Sequence, residues 1–105
     1  MIHEVVEGVQ EQTTNEQIAY GVDCSDYPGT PTSVVSVTAW DITDPHMPLD
    51  VSELVLNGTP SISADVVVTP AVQSLTAGLR YRVRMVYASN DSNRYETYFD
   101  IECKM

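Results

Sequence analysis

The sequence predicts an all-β fold, an antiparallel β-sandwich of about six to eight short strands behind an N-terminal arm. Three features predict it. Turn signals recur about every 8 to 12 residues between β-branched and aromatic runs. No helical periodicity continues beyond about two turns. The segment LTAGLRYRVRMVY passes from a Leu75-x-x-Gly78-x-x-Tyr81 spacing into strict alternation. Tyr81, Val83, Met85 and Tyr87 then share one face, and Arg80, Arg82 and Arg84 the other.

At 105 residues the chain is a single domain with room for a real core. Residues 1–16 read as an extension and residues 17–105 as the sandwich. The extension is polar and acidic, and its Ile2, Val5, Val6 and Val9 approximate a one-faced helical spacing broken by Gly8. It reads as a frayed terminus or as an arm that orders on a neighbour. On the arm reading those four apolar residues would bind the partner. The stretch has neither the basic nor the apolar region of a secretory signal.

The first strand is EQIAYGVDCS, where Ile18, Tyr20, Val22 and Cys24 alternate onto one face. DYPGTPT is a loop, punctuated by Pro28, Gly29 and Pro31. SVVSVTAWDIT is β-rich and therefore a strand, but both of its faces are apolar, so its inward side stays open. DPHMPLD cannot hold a ladder, because Pro45 and Pro48 lack amide donors. Leu54 and Leu56 lead to Asn57-Gly58, a strong turn pair. ADVVVTP is a short buried strand, ended by Pro70. LRYRVRMVYA and NRYETYFDIECKM form a final hairpin around the polar loop Ser89–Asn93.

Leu75, Gly78 and Tyr81 are the fold-defining residues. The Gly permits a tight turn, and the Tyr buries its ring while its hydroxyl ties back to upstream backbone. This is a tyrosine corner, the device that opens a late strand of immunoglobulin-like sandwiches. In the hairpin, placing Tyr87 opposite Tyr95 sets Arg82 against Asp100 and Arg80 against Glu102. Such cross-strand ion pairs give the arginine row a structural role. A one-residue slip would turn the arginines into the core, so the register is strongly specified.

Charge excludes one function class. The net charge is −10, and all five basic residues (Arg80, Arg82, Arg84, Arg94 and Lys104) lie after residue 79. A nucleic-acid partner would need a basic surface. The acidity reads as a solubility device or as a face for a basic protein partner. No apolar run approaches the roughly 18 to 20 residues of a membrane span.

Catalytic chemistry is missing from the sequence. No nucleophile-elbow, zinc-protease, phosphate-loop or paired-cysteine motif occurs. His3 lies in the arm, and His46 reads as a solvated loop residue without an orienting partner. Asp41, Asp44 and Asp50 cluster in one region, but their spacing fits no calcium loop. Cys24 and Cys103 lie on the first and last expected strands. They read as core thiols, with a disulfide conceivable if those strands are neighbours. No zinc pattern includes them. The expectation is a non-enzymatic protein with no catalytic residue, metal or cofactor. A carbohydrate or receptor site could be built from Tyr27, Trp40, Tyr98 and the aspartates if they are exposed together.

Tyr20-Gly21-Val22-Asp23, Pro31-Thr32-Ser33-Val34 and Asp41 add further motif positions. With Leu75-x-x-Gly78-x-x-Tyr81-Arg82-Val83 and Tyr98-Phe99-x-Ile101-x-Cys103, the chain resembles small immunoglobulin-like structural proteins of tailed bacteriophages. The resemblance covers residues 17–105, and its tyrosine-corner segment also resembles fibronectin type III modules. It implies a non-enzymatic virion component assembled in the host cytoplasm, foremost a capsid decoration or cement protein. Its partners would be the major capsid protein or another virion protein, together with further copies of itself. Neck or tail placement, or a carbohydrate- or receptor-binding adhesion role, is the alternative.

Overall fold

The computed structural model describes residues 2–4 and 9–104. The expected all-β class is observed. Two sheets face each other across one core. The first runs in the order β1-β3-β8-β7, from strands Ile2–Glu4, Ala19–Asp23, Val66–Val68 and Ser61–Ser63. The second runs β2-β11-β10-β4-β5, from Gln10–Thr13, Arg94–Lys104, Arg80–Ser89, Pro31–Asp41 and Leu49–Asp50. A small ribbon pairs β6 (Leu56–Asn57) with β9 (Ala71–Val72). One helical turn, α1 (Ser52–Val55), precedes it. Tyr20 and Val67 meet Val83, Met85, Phe99 and Ile101 in the core. The Tyr20 and Phe99 rings, from opposite sheets, lie 5.0 Å apart between centroids.

The final hairpin has the register that its charge pattern specifies. Tyr87 pairs with Tyr95, Arg82 with Asp100 and Arg80 with Glu102. The Tyr81, Val83, Met85 and Tyr87 side chains are buried, while the arginines lie outside. At the start of β10, Gly78 has φ +85° and the Thr76 N–H donates to Tyr81 Oη at 2.9 Å. Leu75 and Tyr81 are both buried beside this turn.

β4 explains its own ambiguity. Its ladder with β10 is irregular at two points, so Val35 and Thr32 have no register partner. Each extra residue shifts the inward set by one position. Ala39, Val37, Val34 and Pro31 therefore point inward, and Val35 is exposed.

The boundary expected at residue 16 is crossed by the second sheet. Within the stretch read as an arm, β2 pairs in parallel with β11, from Ile101↔Gln10 to Lys104↔Thr13. Gln10 and Gln12 are buried. β1 likewise pairs in parallel with β3, where the apolar spacing had suggested a helix. A helix broken by Gly8 cannot repay its nucleation cost, whereas a sheet edge offers ready backbone partners. Elsewhere, the loop DPHMPLD closes into the two-residue edge strand β5, and Leu54 lies outward on α1 while Val55 is buried.

Cys24 and Cys103 are free, buried thiols. The first and last strands are not neighbours, because β3 lies in one sheet and β11 in the other. Cys103 bonds to the backbone of Gly78 and Leu79, at one end of β10. Cys24 lies by Tyr87, near the other end. Eight residues of strand separate these positions, roughly 25 Å, far beyond disulfide reach.

Candidate functional site

The outer face of the second sheet carries an open groove of about 500 Å³. Three strands build it. Trp40 on β4 is in register with Arg82 on β10, which is in register with Asp100 on β11. One step along the same face, Thr38, Arg84 and Tyr98 form the next row. Ile42, Pro45 and Pro48, from the chain beyond β4, wall one side, and Glu96 completes the lining. The alternation of β10 forces this composition. Burying Val83 and Met85 sends Arg82 and Arg84 outward.

The polar groups are matched to one another. Arg82 Nε and Nη2 donate to the two Asp100 oxygens at 2.8 and 3.2 Å. Arg84 Nη2 donates to both Glu96 oxygens, at 3.0 and 3.1 Å. Arg80, expected to meet Glu102, shares Asp100 instead at 3.3 Å, and Glu102 pairs with Lys104 at 3.5 Å. The Arg82 guanidinium also lies 4.6 Å from the centre of the Tyr98 ring. Such a cation-π contact holds the ring over the sheet. Burial alone would raise the Asp100 carboxyl, but hydrogen bonding and charge from Arg82, then Arg80, outweigh it and hold it below the ordinary value.

Two of the three aromatics expected to share a site do so. Trp40 and Tyr98 line the groove, and Tyr98 is 57% exposed although Arg82 lies over one face of its ring. Tyr27 lies apart. It packs against the Tyr87 and Tyr95 rings at 6.0 and 5.7 Å, on the inner side of the sheet. The three aspartates serve the backbone locally. Asp41 accepts from the N–H of Thr43, Asp44 from that of His46 and Asp50 from that of Ser52. Each closes an Asx turn. Of the residues assigned to partner binding, Val9 is exposed, Ile2 belongs to β1, and Val5 and Val6 lie outside the described residues.

Arg84, Glu96, Pro45 and Pro48 were not singled out as site residues in the sequence. For Arg84 and Glu96 the signal lies in the hairpin register, which sets the Arg84 row one step from the Arg82 row. Extending that register across to Trp40 needed the bulged pairing of β4, which the sequence does not reveal.

Burial raises the Cys24 and Cys103 thiols above their ordinary value. Both therefore stay protonated at neutral pH and serve as apolar filling. Comparison with family models, curated proteins and solved structures finds no match for this chain.

Proposed function

We propose that this chain is a non-enzymatic, immunoglobulin-like structural protein of a tailed-phage virion, foremost a capsid decoration or cement protein. Sheet order supports the immunoglobulin-like assignment. β3-β8-β7 follows three strands of that fold's four-strand sheet, with β1 added beside β3 in parallel rather than antiparallel. β11-β10-β4-β5 follows the facing sheet with its added edge strand, extended by β2 in parallel on β11. The tyrosine corner stands at the start of β10, the strand where that fold places it.

Charge segregation carries the binding reading. The outward rows of β10 and β11 hold four arginines against Glu96, Asp100 and Glu102. The remaining chain has Lys104 as its sole cation and twelve carboxylates. That remainder would face basic surfaces of a shell protein, with the apolar residues of the N-terminal segment contributing the rest of the contact. Repetition around a shell would place many copies side by side, with contacts between them.

Incubating the purified protein with shells that lack it, followed by cryo-electron microscopy, tests this reading. Regular lattice density that fades in high salt is expected. Unchanged occupancy from low to high salt would remove the electrostatic mechanism, and density absent from the shell would remove the decoration role. Density at a neck or tail would move the protein to a connector role.

A second reading rests on a different observation. Trp40 and Tyr98 meet in one open groove, which favours a carbohydrate- or receptor-binding adhesion module. Reproducible binding that is lost in a folded Trp40→Ala variant would select it.

A further inference from the structure

We infer that the Trp40–Tyr98 groove binds a neutral oligosaccharide. The inference rests on the adhesion reading of that groove and requires no place in a virion.

Charge narrows the ligand first. Within the lining, Arg84 is paired with Glu96, and Arg82 with the cross-strand Asp100, which Arg80 shares. Three guanidinium groups and two carboxylates leave one positive charge here, set within a chain of net charge −10. An anion would enter against the field of a chain with net charge −10 and find both guanidinium groups already paired. A cation would meet those same guanidinium groups. A neutral ligand meets neither opposition.

Hydrogen-bonding capacity narrows it further. A guanidinium has five N–H donors, and Arg82 spends only Nε and Nη2 on Asp100. Arg84 spends only Nη2 on Glu96. Each keeps donors, and the Glu96 oxygens keep lone pairs. Donors and acceptors thus alternate along this face, where bidentate pairing with Asp100 fixes Arg82. Hydroxyl groups, which donate and accept at once, are the complement to such an edge.

Shape completes the selection. Trp40 and Tyr98 stand on β4 and β11, the two strands flanking β10, and in adjacent rows of the register. Strand spacing and rise put their Cα atoms roughly 12 Å apart. Rings at that separation suit a ligand of more than one unit, with apolar faces and polar edges. Pyranose units present C–H faces to stacking aromatics and hydroxyls to the arginines between them. The groove volume, about 500 Å³, lies within the range of small-molecule sites.

The test titrates the full chain with neutral and acidic oligosaccharides. The probes are maltohexaose, cellohexaose, chitohexaose and mannohexaose, with oligogalacturonate as the acidic one, read by amide NMR shifts and calorimetry. At least one neutral probe is expected to bind, moving the Trp40 indole and Arg84 guanidinium signals. Affinity should change less than about twofold from low to high salt, since no charge is neutralised. Trp40→Ala and Tyr98→Ala should each weaken it at least about tenfold, as for a lost stacking contact. Tyr98→Phe, which keeps the ring, should retain binding and thereby separate contact from folding.

Binding confined to the acidic probe and lost in Trp40→Ala would overturn the neutral ligand while keeping a binding groove. Neutral binding that both alanine variants leave intact would overturn the site. No binding by any probe would overturn the inference outright. A dimer that Trp40→Ala dissociates would overturn it too, because a second copy would then cover the groove.

Discussion

Tyr20 Oη donates to Gln12 Oε1 at 2.7 Å inside the core, joining the two sheets through side chains. Tyr20 belongs to β3 and Gln12 to β2. Gln12 Nε2 in turn donates to the carbonyls of Val72 and Glu16, at 2.7 and 3.0 Å. One amide therefore satisfies three groups and pins β2 along β11. Buried polar networks of this kind are specific because each unpaired member is costly.

Replacing Gln12 by leucine keeps its bulk but withdraws that acceptor and both donors. A buried group left unsatisfied costs about 1 to 3 kcal/mol, so Gln12→Leu should lose about 2 to 3 kcal/mol in a urea titration. Protection of the β2 amides against hydrogen exchange should fall with it. Unchanged stability would mean that β2 contributes nothing to the fold.

Tyr81→Phe isolates a second hydroxyl. Tyr81 Oη accepts from the Thr76 N–H, the bond that closes the turn over Gly78. Phenylalanine keeps the ring and strands that amide. The expected loss is roughly 1 to 2 kcal/mol, seen as a lower melting temperature. Equal melting temperatures would remove the tyrosine-corner role.

Tyr87→Phe should behave oppositely. Tyr87 is buried, and among the described residues its hydroxyl has no well-formed hydrogen-bond partner; the weakly polar Cys24 thiol lies beside it. Removing a buried hydroxyl that gains little from its surroundings relieves a desolvation cost. Tyr87→Phe is expected to be neutral or to stabilise by up to about 1 kcal/mol in the same titration. A loss above that size would reveal a strong bond between Tyr87 and Cys24.

Legibility followed the strength of local patterns. The β10–β11 hairpin was readable to the residue because apolar and charged rows alternate without interruption, and opposite charges select one register. β4 was not readable inward from outward, because unpaired Val35 and Thr32 spread its buried set over Pro31, Val34, Val37 and Ala39. β2 was hidden because its inward residues are Gln10 and Gln12, whose polarity mimics a solvated tail. β5, β6 and β9 pair through two residues each, too few to leave any period. The groove was half legible. Trp40 and Tyr98 stood out as single aromatics, but only the three-strand register brings them together and sends Tyr27 elsewhere.

Acid should expose the contribution of Asp100. Its carboxyl is pushed upward by burial, and the hydrogen bond and charge of Arg82, with Arg80, reverse that and hold it below its ordinary 3.8. A carboxyl depressed in the folded state binds protons more readily in the unfolded chain. Its stabilisation is therefore complete above the unfolded value and is lost as pH falls through the folded one. Asp100→Asn removes this linkage while leaving the side-chain volume. The stability gap between native protein and Asp100→Asn should be constant near neutral pH and narrow as pH drops below about 4, toward the protonated carboxyl. Denaturant midpoints measured for both proteins from neutral to strongly acidic pH check this. A gap that does not narrow would mean that the Arg82–Asp100 pair adds no net stability, its attraction balanced by the cost of desolvating both charges.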